Sequence, residues 1–392
     1  MQNSKPKYLS PKRFFLLALL ALIFISLSQR APISVLGPLA TRVMAHFELS
    51  AKSFGALASL PVFAFAFFAA FAPLFGLYRS ILAALLLLLS GLLLRGFLDT
   101  WTLFLGTALI GCGIAILNCA MPTFIKTKFK DVGFAMSLYS GILSLSSFFG
   151  IFGHHLVGLI GLQGSLSFWW LLVFIALIFY APFTRNKRLK RKGAKGDFKG
   201  LFAMAKRLDA WKFCLFMAAQ SCSYYTLIAW HSALCQSKLE DVNVSANLTL
   251  MMQGASIFSA YFIPLIYSRL KGSGAVFTQA VCLMYTTGFL LLIYAQNIWL
   301  IAALSLLISI PAGGTFGILL VLFAQKARDA QTLRYASNLA LCAGYLLASL
   351  GPFIFGLLLD LTKTYTAGLC FMSALGFLLF IAARLVLGVR TL

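Results

Sequence analysis

Arg30 is the side chain in this sequence whose chemistry is hardest to explain by packing alone. It lies in an apolar run from residue 14 to 41, and about 1.5 Å per helical residue places it about 24 Å along a helix that begins at Phe14. A lone guanidinium there costs at least about 2.5–3.5 kcal/mol in a membrane unless something compensates it. Arg30 either binds an anion, or bonds free carbonyls beside Pro32, or extends its head to the outer face.

No carboxylate is available in the apolar runs to compensate Arg30. All nine acidic residues can be placed outside these runs or at their edges: Glu48, Asp99, Asp131, Asp197, Asp209, Glu240, Asp241, Asp329 and Asp360. An intramembrane hydrolase would need a Ser, His and acid set or a metal, and the runs offer histidine without an acid. We therefore expect no enzyme, no metal and no cofactor.

The other polar side chains inside apolar runs are candidates for binding a solute or for hydrogen bonds between helices. The candidates for substrate binding, beside Arg30, are Asn118, Tyr224, Trp230, Gln253 and Asn338. His231 is the group that would titrate near neutral pH, so it is the candidate for proton coupling. Arg95 has a weaker case, because Asp99 one turn later can pair with it.

The elements that position these residues are membrane-spanning helices. The chain is 61% hydrophobic and 10% charged, with a mean hydropathy of +0.94, whereas soluble domains carry about 25% charged residues. A span needs about 20 apolar residues. Twelve segments meet that requirement: 14–41, 51–76, 78–97, 101–122, 133–157, 165–184, 211–235, 247–268, 274–295, 298–324, 334–359 and 365–389.

Loop charges predict the orientation of these spans. The termini, the even-numbered loops and the central linker hold 26 of the 32 Lys and Arg, and the opposite loops hold four. Basic residues in short loops stay in the cytoplasm. We therefore expect a multi-pass protein of the cytoplasmic (inner) membrane with both termini in the cytoplasm.

A dense basic stretch, 185–212, divides the chain near its middle and contains eleven Lys or Arg. Such a block can be a nucleic-acid patch, but its place between apolar runs favours a cytoplasmic linker. Apolar residues from Phe198 to Leu208 have the spacing of an amphipathic helix on the membrane face. The sequence thus predicts a six-helix bundle at 1–184, a linker at 185–210 and a second six-helix bundle at 211–392, with a solute site near the midplane between the bundles.

Several stretches carry a family resemblance. QRAPISVLGPL (29–39), GIAILNCAMPTFIKTKF (113–129), YYTLIAW (224–230), GGTFGILLVL (313–322) and GYLLASLGPFIFG (344–356) together resemble the cyanate permease and 2-nitroimidazole transporter family of the major facilitator superfamily. The resemblance implies two pseudo-symmetric bundles of six helices. It also matches the family's first-span arginine to Arg30, its span-four amide to Asn118, and its span-seven motif to Tyr224 and Trp230.

Together these features predict a secondary active transporter that moves a small polar or anionic solute, cyanate-like or nitroimidazole-like, by alternating access. Three other interpretations stay open: efflux of uncharged drug-like compounds, uptake of another small anion, and a membrane sensor that does not transport. We expect a monomer in the lipid bilayer with a small-molecule solute as its partner and no nucleic acid.

Overall fold

The computed structural model describes residues 11–71, 77–97, 99–184, 198–270 and 274–392, and in these ranges it contains helices and no strands. The helices are α1 (Pro11–Ser34), α2 (Ala40–His46), α3 (Ala51–Phe71), α4 (Leu77–Leu94), α5 (Thr100–Lys128), α6 (Val132–Ser167), α7 (Trp170–Thr184), α8 (Phe198–Ala205), α9 (Leu208–Leu239), α10 (Val242–Arg269), α11 (Gly274–Tyr294), α12 (Ile298–Lys326), α13 (Ala330–Ala348), α14 (Leu350–Thr362) and α15 (Tyr365–Leu387). The predicted all-α class is confirmed.

Each predicted span overlaps one of these helices or a consecutive pair. Ten helical stretches of the described residues are long and apolar enough to cross a membrane, the consecutive pair α13 and α14 counting as one stretch. Two predicted spans fall outside this set for different reasons. The sixth corresponds to α7, which has only 15 residues, and the seventh corresponds to α9, which has 32 residues but carries many polar side chains, including Gln220 and His231.

The first predicted span, 14–41, is not one continuous helix. Helix α1 ends at Ser34, residues 35–39 form a turn, and α2 starts at Ala40. Pro38 has no backbone N–H with which to continue the helical ladder. Gly37 is required for a different reason, since a Cβ there would lie 2.1 Å from the carbonyl oxygen of Ile228. The break leaves carbonyl groups at the end of α1 that need partners from elsewhere.

Most of the aspartates are used at the starts of helices, which explains why they lie at the edges of the spans. Asp99, Asp131, Asp241 and Asp329 each precede a helix and accept hydrogen bonds from backbone N–H groups of its first turn. At Asp329 the bonds from Thr332 and Gln331 hold the pKa of the carboxyl below its ordinary value. These carboxylates satisfy helix ends, as expected of N-caps.

The described helices fall into two compact units. The first unit takes its residues from 1–35 and 71–196, and the second from 36–70 and 197–392. The second unit therefore contains α2 and α3 together with α8 to α15. The predicted bundles at 1–184 and 211–392 remain a prediction, because residues 185–197 of the predicted linker lie outside the described residues. The rest of that linker contains the predicted short helix, α8.

Candidate functional site

A serine from α6 forms hydrogen bonds with the turn of α1 that carries Arg30. Ser146 Oγ accepts hydrogen bonds from the backbone N–H groups of Arg30 (3.2 Å) and Ala31 (3.0 Å), and it donates to the carbonyl oxygen of Leu27. An α-helix pairs the N–H of Ala31 with the carbonyl of Leu27, so the serine hydroxyl contacts both groups of one such pair. A second contact follows one turn later, where the hydroxyls of Ser34 and Ser147 lie 2.7 Å apart. The two helices are thus joined by polar contacts on both sides of Pro32.

Arg95 bonds a carbonyl at the end of α1. Its Nη1 donates to the carbonyl oxygen of Pro32 at 2.6 Å, and its Nε and Nη2 donate to Thr107 Oγ1 at 3.1 and 2.9 Å. The Thr107 hydroxyl can accept both bonds because it gives its own hydrogen to Leu103 O. Arg95 has no exposed surface. A cation at a helix C-terminus interacts favourably with the helix dipole, so Arg95 is a structural group.

The expectation that Asp99 pairs with Arg95 is wrong. Asp99 instead accepts hydrogen bonds from Trp101 N and Thr102 N at the start of α5. Among the residues described, the ion pair within 4.0 Å joins Lys212 to Asp209 at 2.6 Å, near the start of α9. The buried guanidinium of Arg95 is therefore held by neutral oxygen atoms.

Arg30 itself is half-buried in α1. It lies within electrostatic range of the hydroxyl of Tyr139, as does Cys119 of α5. The Tyr139 hydroxyl gives its hydrogen to Gln29 Oε1 at 3.2 Å, so its oxygen can only accept a further bond. Asn118, also half-buried, precedes Cys119 on α5. The first unit thus brings the helices of its two candidates, Arg30 and Asn118, towards Tyr139.

The candidates of the second unit occupy different environments. Tyr224 and Asn338 are half-buried, on α9 and α13, and Gln253 is buried on α10. The Oε1 atom of Gln253 and the hydroxyl of Tyr285 have no hydrogen-bond partner among the described residues. Tyr224 lies within electrostatic range of that Tyr285 hydroxyl. Buried polar atoms without partners are rare, so each is a possible contact for a polar ligand.

Trp230 is fully packed. Its Nε1 donates to Pro352 O at 3.0 Å. Its ring stacks on Phe355 and meets Phe54 edge to face, both with centroids 5.2 Å apart. In this conformation the ring and its N–H contact α3 and α14, and the predicted contact with a solute remains a prediction.

His231 joins three helices through both of its ring nitrogens. Nδ1 lies 2.8 Å from Thr249 Oγ1 of α10, and Nε2 lies 2.9 Å from Ser305 Oγ of α12. Thr249 donates its hydrogen to Ser245 O at 3.0 Å, so it must accept from Nδ1–H, which leaves Nε2 to accept from Ser305. The geometry therefore favours the neutral Nδ1–H tautomer. The predicted role of His231 in proton coupling remains a prediction.

Sequence reasoning missed three residues that shape these sites: Ser146, Thr107 and Asp360. Serine and threonine in apolar helices usually bond their own backbone, so their bonds to other helices carry no local signal. Asp360 follows a predicted span directly, which indicated only a helix end.

The chain has clear relatives among known proteins. The model of a family described as the Major Facilitator Superfamily matches residues 14–352. The chain is 30% identical over 377 residues to an uncharacterized transporter of Bacillus subtilis (strain 168), YycB, covering 94% of this chain and 90% of that protein. It is 27% identical over 368 residues to the 2-nitroimidazole transporter of Escherichia coli (strain K12), covering 91% of this chain and 92% of that protein.

Two solved structures share the fold at low identity. A bacterial homologue of the human lysosomal transporter Spinster, in an inward-facing and occupied conformation, gives a TM-score of 0.73 at 15% identity and covers 97% of both chains. The nucleoside transporter NupG gives a TM-score of 0.72 at 14% identity, covering 95% of this chain and 99% of that one.

Proposed function

The chain belongs to the Major Facilitator Superfamily and is a multi-pass membrane transporter, and from that premise we propose that it moves a small polar or anionic solute by alternating access. We place it in the cytoplasmic membrane with both termini in the cytoplasm. The termini, the even-numbered loops and the linker hold 26 Lys and Arg, whereas the opposite loops hold four. We further propose that it works as a monomer with bundles at 1–184 and 211–392.

The environment of Arg30 is the observation that carries this proposal. Two carbonyls close to Pro32 have donors from outside α1, because Ser146 bonds Leu27 O and Arg95 bonds Pro32 O. Arg30 is therefore not needed to satisfy these two carbonyls. An anionic or strongly polar solute is the partner that we propose for this guanidinium during transport, because charge-assisted hydrogen bonds to a solute would offset the cost of a cation in an apolar helix.

The class of solute follows from the size and charge that such a site accepts. The relative at 27% identity is named a 2-nitroimidazole transporter, and nitroimidazoles are small, flat and polar. A planar guanidinium suits a nitro group or a small linear anion such as cyanate, because it offers parallel N–H donors. We propose that Asn118, Tyr224, Gln253, Asn338 and Trp230 supply the remaining contacts, and that His231 supplies proton coupling.

Membrane potential limits the direction of transport. An inside-negative potential of about 100 mV opposes entry of each unaccompanied negative charge by about 2.3 kcal/mol. Export of an anion needs no coupled cation, whereas its uptake does. A neutral nitroimidazole is free of this constraint.

Flux measurements in proteoliposomes test the proposal. We expect 2-nitroimidazole or cyanate to cross faster than in empty liposomes, and Arg30→Ala to lower the flux at least about tenfold. Arg390→Ala, which removes an exposed arginine, is the matched control and should leave the flux unchanged. A protein that binds these solutes without moving them under any imposed pH or voltage gradient would be a sensor, and the transport proposal would fail.

A further inference from the structure

We propose that Asp360, at the end of α14, is a latch that holds the start of α3 closed on the outer side of the transporter, and that this latch opens in each transport cycle. The inference rests on the proposed function. Asp360 Oδ1 accepts a hydrogen bond from Ala51 N at 3.0 Å, and Oδ2 accepts one from Lys52 N at 2.8 Å. The carboxylate therefore binds the first two N–H groups of a helix about 300 positions away in sequence.

This contact differs from every other aspartate cap in the described helices. Asp99, Asp131, Asp241 and Asp329 each cap the helix that follows them directly. Helix α3 already has a local cap, because Ser50 Oγ accepts from Ser53 N at 3.2 Å. The local cap can keep the helix start intact when Asp360 leaves, so the Asp360 contact joins two elements without being needed to form either.

Two glycines let α3 and α14 approach closely at the same place. A Cβ on Gly356 would lie 2.2 Å from Ala51 O, and a Cβ on Gly55 would lie 2.3 Å from Pro352 O. Pro352, Gly356 and Asp360 are spaced by four residues, so they share one face of α14. The latch therefore consists of a charged contact at the end of α14 and a glycine contact on each helix.

Trp230 seals the inner end of this contact. It bonds Pro352 O through its Nε1 and packs its ring between Phe54 and Phe355. By contrast, the outer end of the contact is exposed: the Lys52 side chain is exposed, and Leu361 is 72% exposed. Water can therefore solvate the carboxylate and the two N–H groups when they separate, which keeps the charged contact reversible.

Alternating access explains why such a contact should open. By sequence, α3 belongs to the predicted bundle 1–184, whereas α9 and α14 belong to the predicted bundle 211–392. These bundles must move against one another in a transport cycle. The loops that hold Glu48 and Lys363 are predicted to face outwards, so separation of α3 from α14 would open a path to the outer side.

Removing the charge of Asp360 tests the latch. Hydrogen–deuterium exchange of the peptide covering residues 50–58 should become about tenfold faster in Asp360→Asn, because two charge-assisted bonds weaken. A cysteine introduced at the buried Ala58 should then react faster with an impermeant maleimide applied from the outside. Asp241→Asn is the matched control: Asp241 bonds Asn243 N and Val244 N of its own helix, so exchange should rise only there, with no change in labelling at position 58.

Gly356→Ala tests the same latch through steric overlap, and it serves if Asp360→Asn does not fold. The added methyl group should force Ala51 away and raise labelling at position 58 to a similar extent. Gly141→Ala is its control, because a Cβ there meets no atom within 4 Å. Wild-type labelling in both Asp360→Asn and Gly356→Ala, or an equal increase in Asp241→Asn, would overturn the latch. These measurements need no solute, so a failed flux assay beside increased labelling would count against the proposed function alone.

Discussion

Two arginines of the first unit lie near Pro32, Arg30 within α1 and Arg95 directly after the end of α4, and their surroundings differ. Arg95 is fully buried and is held by Pro32 O and the Thr107 hydroxyl. Arg30 is half-buried, in a turn of α1 that Ser146 bonds, near Tyr139. The comparison shows that a buried arginine can be held by neutral oxygen atoms, as Arg95 is, whereas a ligand-binding role is what we propose for Arg30. The neighbouring oxygen atoms, more than the depth of the residue, distinguish the two positions.

The largest effect should come from Arg95→Ala. This substitution leaves Pro32 O without a donor and opens a cavity between α4 and α5. We expect a loss of about 2–5 kcal/mol in the free energy of unfolding, the range for truncations that create cavities. Thermal unfolding in detergent should show it, with Arg30→Ala changing stability by less than about 1 kcal/mol. Equal stability of the two variants would remove the distinction between these arginines.

Ser146→Ala should have a smaller effect on stability and a specific effect on Arg30. Without the hydroxyl, Ala31 N and Leu27 O can still bond each other as in a regular helix, so the cost should be about 1 kcal/mol. The guanidinium of Arg30 would move with its backbone, and we expect solute binding to weaken about tenfold. Isothermal titration with 2-nitroimidazole or cyanate measures this. Ser144→Ala is the control, because the half-buried Ser144 bonds its own helix, at Ser140 O; an equal loss of affinity in both variants would contradict the role of the Ser146 contact.

His231→Gln should have only a modest effect on stability, because the amide can still bond one of the two hydroxyls of Thr249 and Ser305. We expect a loss of about 0.5–1.5 kcal/mol. If transport is coupled to protons through this residue, its pH dependence between about 5.5 and 7.5, around the ordinary histidine pKa of about 6.5, should flatten. His46→Gln changes an exposed histidine and should preserve the pH profile. An unchanged profile in His231→Gln would leave the imidazole as a structural bond between α9, α10 and α12.

The length of the apolar runs predicted the helices. Every predicted span overlaps a helix, and the family resemblance seen in the sequence is confirmed by the match over 14–352. The break at 35–39 was missed because Val35, Leu36 and Leu39 are apolar and continue the hydrophobic run. Hydropathy reports how well a segment tolerates lipid. A turn of apolar residues, whose freed carbonyls are bonded by other parts of the protein, therefore has the same hydropathy as a continuous helix.

The candidate site was only partly predictable. Arg30 was conspicuous as a charge in an apolar run, but the donors that Leu27 O and Pro32 O receive from other parts of the chain are visible only in three dimensions. The prediction that Asp99 pairs with Arg95 failed because the carboxylate of Asp99 accepts hydrogen bonds from the N-terminus of α5, which begins directly after it. Asp360 was predicted to lie at the edge of a span. Its partners in α3 are so distant in sequence that no local pattern indicates the contact.

Solute-induced thermal stabilisation of Arg30 variants tests the central claim most directly. Wild type, Arg30→Lys, Arg30→Ala and the exposed control Arg390→Ala are compared at matched expression with 2-nitroimidazole and with cyanate. Removing the guanidinium should cost a charge-assisted hydrogen bond of about 1.5–3 kcal/mol, which weakens binding about 10- to 150-fold. Lysine should restore binding only partly, because an ammonium lacks the planar fork. Full stabilisation of a correctly folded Arg30→Ala by a solute that also stabilises wild type would contradict the account.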